Sequence, residues 1–236
     1  SQRPQNGQQW FDIWAMAAKF ETRRLTQHHV RDAIMDYGYD THIGHHKILF
    51  TQTNQDSLYA ATRDELSLLA VCDGISTANA GSGDVASGIT THVIASLWEQ
   101  AISRLEEAED TERSEFLSRS LRMANRAVCE AALRFAGGQI EGRIPMGTTA
   151  VVAIGHGNHI NIAWLGDSRA YLIGPYGASL LTSDMNQASE RLQAWLEDSA
   201  MSWDATGYAL VGYVGHFNEW LRSEALTPKQ TSFQLL

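Results

Sequence analysis

At 236 residues, 44% of them hydrophobic and 19% charged, the chain can bury a sizeable core and is too apolar to be a disordered segment. A net charge of −9 with no stripe of Lys and Arg argues against a nucleic-acid partner, because binding a phosphate backbone needs clustered cations. No apolar run reaches the ~18 residues that span a bilayer, so no membrane partner is expected either.

Residues 1–7 lack the basic-then-apolar order of a secretion signal and begin without Met, so a piece of a longer chain is expected. Residues 8–37 read as two helices. Trp10, Phe11, Ile13, Trp14, Ala17 and Ala18 recur at helical spacing, and Thr26 opens a second run carrying Val30, Ala33 and Ile34, closed by Gly38. This aromatic face must bury either on the main domain or against a neighbouring domain of the longer chain. Residues 1–40 are therefore expected to form a helical N-terminal extension.

Beyond it the period changes. Segments 48–50, 57–60 and 66–72 are short and strand-like, and the last runs into Asp73-Gly74 and a Gly/Ser/Ala/Asn loop. Asp84 stands where an N-cap belongs, before a long helix with Val85, Ile89, Val93, Ile94, Leu97, Ala101, Ile102 and Leu105 inward. Residues 106–115 read as a charged connection. A second helix follows, with Phe116, Leu117, Leu121, Ala124, Val128, Ala131 and Phe135 inward, and Gly137-Gly138 breaks it. Segments 148–154, 159–165 and 170–173 read as consecutive strands, 180–182 as a fourth, and 187–196 as helical. Strands, two long helices and strands again predict an α/β fold, an antiparallel sandwich with a helical hairpin packed on it. Cys72 and Cys129 lie far apart in apolar stretches, which predicts reduced thiols and a cytoplasmic setting.

Asp56, Asp73 and Asp167 each stand where a hydrophobic strand runs out. Carboxylates on such rigid supports can converge on a hard cation, and Gly74 would let its carbonyl approach the ion unobstructed. Taken singly, each is equally an Asp that satisfies its own turn.

The motifs are more specific than the spacing. Asn54-Gln55-Asp56-Ser57, the strand 69–72 ending in Asp73-Gly74, Val85-Ala86-Ser87, Met146-Gly147-Thr148-Thr149-Ala150, Gly166-Asp167-Ser168-Arg169 and Leu181-Thr182-Ser183-Asp184 occur in order across residues 41–185. This series resembles the metal-dependent (PPM, type 2C) serine/threonine protein phosphatases, in particular a bacterial branch with Gln in the first motif. The resemblance implies a PPM-type β-sandwich flanked by helix pairs, over residues 41–236. It implies hydrolysis of phosphoserine and phosphothreonine in a phosphorylated protein substrate by a metal-activated water. Asp56 and Asp73, with the Gly74 carbonyl, would hold a pair of Mn²⁺ or Mg²⁺ ions, and Asp167 would belong to a looser third position. Asp184 is structural in this motif.

The chain also departs from the family pattern. Thr51 stands where an Arg usually grips the phosphate, with Lys47 or Arg63 as substitutes, and Ile75-Ser76-Thr77 replaces Met-Gly-Gly or His-Gly-Gly. A His general acid is thereby absent. Residues 231–236 end near where the strand leading to a Ser-Asp-Gly metal segment should begin, so the fold is expected to be C-terminally incomplete. These departures favour an alternative, a catalytically deficient pseudophosphatase that binds partners or regulates. His28, His29, His42, His45 and His46 lack the second ligand pair a zinc site needs and read as surface residues, although His42 could approach substrate.

Overall fold

The computed structural model describes residues 18–20, 35–37, 39–43, 53–186, 189–190, 210, 212–216 and 227–234. Near the N-terminus, β1 (Ala18–Phe20) and β2 (Met35–Tyr37) pair antiparallel, Lys19 opposite Asp36. At these positions the helical reading fails: each described piece is three residues long, and cross-strand pairing takes the place of helical periodicity. The rest of the two expected helices, the segment 48–50, and nearly all of the helix expected over 187–196 lie outside the described residues.

The main body is a five-stranded antiparallel sheet in the order β3-β4-β5-β6-β9. Its strands are β3 (Asp56–Arg63), β4 (Leu66–Asp73), β5 (Ala150–His156), β6 (His159–Leu165) and β9 (Lys229–Gln234). A two-residue turn joins β3 to β4, with Asp64 at φ 50, a left-handed conformation that Asp tolerates better than most side chains. A separate hairpin, β7 (Tyr171–Gly174) and β8 (Gly177–Leu180), turns at Pro175-Tyr176. The expected strand at 180–182 thus lies earlier, because Thr182 uses its hydroxyl to accept the Ala170 N–H instead of extending a ladder. Among the described residues the sheet has a helical layer on one face and no second full sheet on the other.

Two antiparallel helices, α1 (Gly83–Glu107) and α2 (Asp110–Phe135), cover that face. Alternation along β4 sends Leu66, Leu68, Ala70 and Cys72 under the helices, where they join Ala150, Val152 and Ile154 of β5. Ile94, Trp98 and Leu105 of α1 and Leu117, Leu121 and Val128 of α2 close this core. On the far face Val151, Ile162 and Trp164 form a smaller cluster with Ile160 and Phe233.

The helices depart from expectation in four respects. Asp84 is not the cap: Ser82 precedes the helix, and Asp84 lies in the first turn, where its charge complements the helix dipole. The stripe most deeply buried on α1 runs through Ala86, Thr90, Ile94, Trp98 and Leu105, with Val85, Ile89, Val93, Leu97 and Ala101 flanking it. Thr90 can go inside because its hydroxyl donates to the Ala86 carbonyl at 2.8 Å. The charged stretch 106–115 is not a long connection, since only Ala108 and Glu109 separate the helices. Arg113 is 4% exposed there, donating Nε to the Leu105 carbonyl at 3.1 Å and Nη1 to Asp110 at 3.2 Å. Phe135, expected inside, is 60% exposed at the last residue of α2, just before Gly137 and Gly138 turn the chain with positive φ.

Candidate metal-binding active site

Antiparallel register gathers the motif residues at one rim. The start of β3, the end of β4, the start of β5 and the end of β6 all fall there, since Asp56 opposes Asp73, Gly74 bridges Thr148, and Ala150 opposes Leu165. Asp56 and Asp73 alternate with residues that face the helices, so both project from the opposite face of the sheet. Directly opposed residues have Cβ atoms about 5 Å apart, and like charges so placed repel. That field reaches Cys72: burial pushes its thiol pKa up, and the charges of Asp73 and Asp56 push it further.

Asp73 is held from β5. Its backbone N–H donates to Thr149 Oγ1 at 3.1 Å, and its carbonyl accepts the Thr149 N–H and the Thr148 hydroxyl, both at 2.9 Å. The Asp56 strand is held from the other side. Asn54 Oδ1 accepts the Asp56 N–H at 3.1 Å, and the Gln55 carbonyl accepts both the Gly74 N–H at 3.1 Å and the Ser87 hydroxyl at 2.7 Å. Gly74 sits in a cradle that no side chain could share: a Cβ there would lie 2.3 Å from the Gly83 backbone and 2.7 Å from the Gln55 carbonyl.

Asp167 follows Gly166, whose φ of 96 turns the chain sharply out of β6 against Thr149. Ser168 Oγ lies 2.6 Å from Thr149 Oγ1, which ties the Asp167 turn to the group holding Asp73. Burial raises the Asp167 pKa, Asp184 raises it further against a hydrogen bond from Asn186, and the charge of Asp73 adds to the rise. Asp184 itself is engaged by Arg169, whose Nε and Nη2 donate to its two oxygens at 2.9 and 2.6 Å, a fork that fixes the loop.

Asp56, Asp73, Gly74 and Asp167 therefore share one rim, but among the described residues no three His, Cys, Asp or Glu side chains converge closely enough to hold a metal ion. Asp56 and Asp73 form the facing pair, and Asp167 stands off from them. The donor set is entirely oxygen, two carboxylates with an adjacent carbonyl, which suits Mn²⁺ or Mg²⁺ better than Zn²⁺. A divalent cation would turn the Asp56–Asp73 repulsion into attraction, so the residues present fit such an ion as part of its shell.

Arg63 cannot replace the phosphate-gripping Arg. It lies at the opposite end of β3 from Asp56, where Nε pairs with Glu106 at 3.3 Å. Thr51, Lys47, His28, His29, His45 and His46 lie outside the described residues. His42 is exposed, and its neighbour Thr41 accepts a hydrogen bond from Asn54 at 2.8 Å, beside the first motif. What the motifs do not reveal is the part played by the hydroxyls of Ser87, Thr148, Thr149 and Ser168, which stand inside the quoted motifs and, read on their own, are ordinary turn composition.

Comparison with known proteins agrees with this fold. The family model described as protein phosphatase 2C matches residues 43–202, more than half of the chain. The chain belongs to the protein phosphatase 2C family, whose members are metal-dependent serine/threonine protein phosphatases. Among solved structures, the serine/threonine phosphatase Stp1 from Staphylococcus aureus is 21% identical with a TM-score of 0.64, over 89% of this chain and 76% of that one. The Mycobacterium tuberculosis serine/threonine phosphatase PstP/Ppp is 24% identical with a TM-score of 0.56, over 79% and 69%. The catalytic domain of PstP in complex with two manganese ions is 22% identical with a TM-score of 0.54, over 79% and 68%. At these identities the likeness establishes the fold. No match is found among curated protein sequences. Among the described residues no helix is long and apolar enough to cross a membrane.

Proposed function

We propose that this chain hydrolyses phosphoserine and phosphothreonine in protein substrates, with Asp56, Asp73 and the Gly74 carbonyl holding Mn²⁺ or Mg²⁺ and Asp167 serving a further, looser ion. The observation that carries the reading is the direct opposition of Asp56 and Asp73 at adjacent strand ends. Bound there, the ions supply Lewis-acid charge to the attacking water and to the phosphoryl oxygens. The protein's own part is positional. Thr148 and Thr149 fix the Asp73 backbone from β5, and the Gln55 carbonyl joins β3 to Gly74 and to the start of α1. Ile75 follows Gly74 where a His acid would otherwise stand, so the leaving alkoxide takes its proton from solvent or from another residue. The family match over residues 43–202, with β9 joining the same sheet, supports reading residues 41–236 as the phosphatase unit and 1–40 as an extension available to a neighbouring domain. Two buried free cysteines suit a reducing, cytoplasmic setting.

A second reading is favoured by the lack of three converging ligands among the described residues: a pseudophosphatase that binds phosphoprotein without turnover. Mn²⁺-dependent hydrolysis of a phosphothreonine peptide by the full-length protein and by Asp73→Asn separates the two. The enzyme reading expects turnover that falls at least about a hundredfold in the variant, the order of effect of losing a group that stabilises transition-state charge. Equal rates would remove Asp73 from the mechanism, and peptide binding with no turnover in either protein would establish the second reading.

A further inference from the structure

We infer that Gln55 and Ser76 are positioning residues for the metal site, forming a latch between the first motif and the loop after Gly74. Ser76 Oγ donates to Gln55 Oε1 at 2.6 Å, across 21 residues of sequence. Gln55 is shared with the bacterial branch that the first motif resembles, whereas Ser76 stands where the family pattern has Gly, so it is the hydroxyl donor that departs from the pattern.

The latch acts on the proposed ligands through short connections. Gln55 immediately precedes Asp56, and its carbonyl is pinned by the Gly74 N–H at 3.1 Å and the Ser87 hydroxyl at 2.7 Å. With the Gln55 backbone fixed, its side chain reaches the loop two residues beyond Gly74. That loop is also anchored on its other side, where the Ile75 N–H donates to the Gly147 carbonyl at 2.8 Å. Residues 74–76 are therefore held between β3 and the start of β5, and the Gly74 carbonyl sits between the two anchors. Loops carry their ligands less precisely than strands do, and a second hydrogen bond is what restores the precision. The pair is exposed to solvent, so it adds little to global stability while restricting the loop.

This inference rests on the metal-site reading above. It predicts that Ser76→Ala and Gln55→Met each weaken Mn²⁺ binding, measured by isothermal titration of the full-length protein without substrate, by about threefold to tenfold, the value of one modest hydrogen bond. Amide hydrogen exchange at residues 75–80 should quicken by a similar factor without metal, while Tm stays within about 2 °C. Ser76→Thr, which keeps the hydroxyl, should restore both readouts, and the double variant should be no worse than either single one. Wild-type Mn²⁺ affinity and wild-type exchange in Ser76→Ala would overturn the latch. If the wild-type protein itself bound no Mn²⁺, the metal-site reading would fall instead, and unchanged exchange in Ser76→Ala would still dispose of the latch separately.

Discussion

Replacing Gly74 by alanine adds one methyl group at the point where β4, the start of α1 and the strand entering Asp56 meet. The new Cβ would lie 2.3 Å from both the carbonyl carbon and the oxygen of Gly83, and 2.7 Å from the Gln55 carbonyl oxygen. All three are backbone atoms, so no rotamer change can relieve the contact. A Cβ added at Gly83 would likewise lie 2.7 and 2.9 Å from the Gly74 carbonyl carbon and oxygen, so the two backbones approach too closely for either to carry a side chain. Overpacking a core usually costs about 1–3 kcal/mol, and a clash confined to backbone belongs at or above the top of that range. We expect a loss of about 3 kcal/mol, which for a domain of this size lowers Tm by roughly 6–12 °C. Thermal unfolding followed by circular dichroism in the metal-free protein reads this directly. Mn²⁺ titration of the folded variant at 10 °C should also show weakened binding, since the Gly74 carbonyl and Asp73 move together. A variant within about 2 °C of wild type would refute the close approach of Gly74 to Gly83 and Gln55.

Two further predictions concern the turn between the helices, at the other end of the sheet from the candidate site. Arg113→Met keeps the aliphatic bulk but leaves the Leu105 carbonyl without its donor and takes the guanidinium from Asp110, whose carboxylate is partly exposed, so denaturant unfolding should show a loss of about 1–3 kcal/mol, the cost of an unsatisfied buried polar group. Asp110 tests the pH dependence. Burial raises its pKa, but hydrogen bonds from Asn161 and Arg113 and the charges of His159 and Arg113 outweigh burial and hold it below the usual carboxylate range. A depressed folded pKa means that the carboxylate stabilises the fold above its unfolded value of about 3.9, and that this contribution is lost as pH falls through the folded value. Asp110→Asn should therefore lower Tm at pH 7 and flatten the acid limb of the Tm–pH curve. Parallel curves for variant and wild type below pH 4 would contradict the assignment.

Much of this fold can be read from its letters, and the exceptions have local causes. The run 66–72 is apolar at nearly every position because β4 is central in the sheet, with a strand on each side and helices across one face. The helical hairpin is equally legible from its apolar period. The start of α2 is not, because Arg113 and Asp110 look like a solvated turn until the chain folds back and the guanidinium finds the Leu105 carbonyl. The stripe of α1 is obscured by Thr90 and Thr91, whose hydroxyls are satisfied within the helix itself, at the Ala86 and Ser87 carbonyls. At the site, the strand-end aspartates are visible in sequence as candidates. Their opposition is not, because it depends on the β3–β4 register set by the two-residue turn at Asp64-Glu65. Nor is the failure of Arg63 as a phosphate ligand, which follows only once β3 is known to carry it away from Asp56.

The central claim is that Asp56 and Asp73 act as a pair on divalent cations. Equilibrium titration of Mn²⁺, followed by the electron paramagnetic resonance signal of the free ion, tests it without requiring turnover. The account predicts that wild type removes Mn²⁺ from solution saturably, and that Asp56→Asn and Asp73→Asn each weaken this by at least about tenfold, near 1.4 kcal/mol. Binding by both variants with wild-type affinity would contradict it.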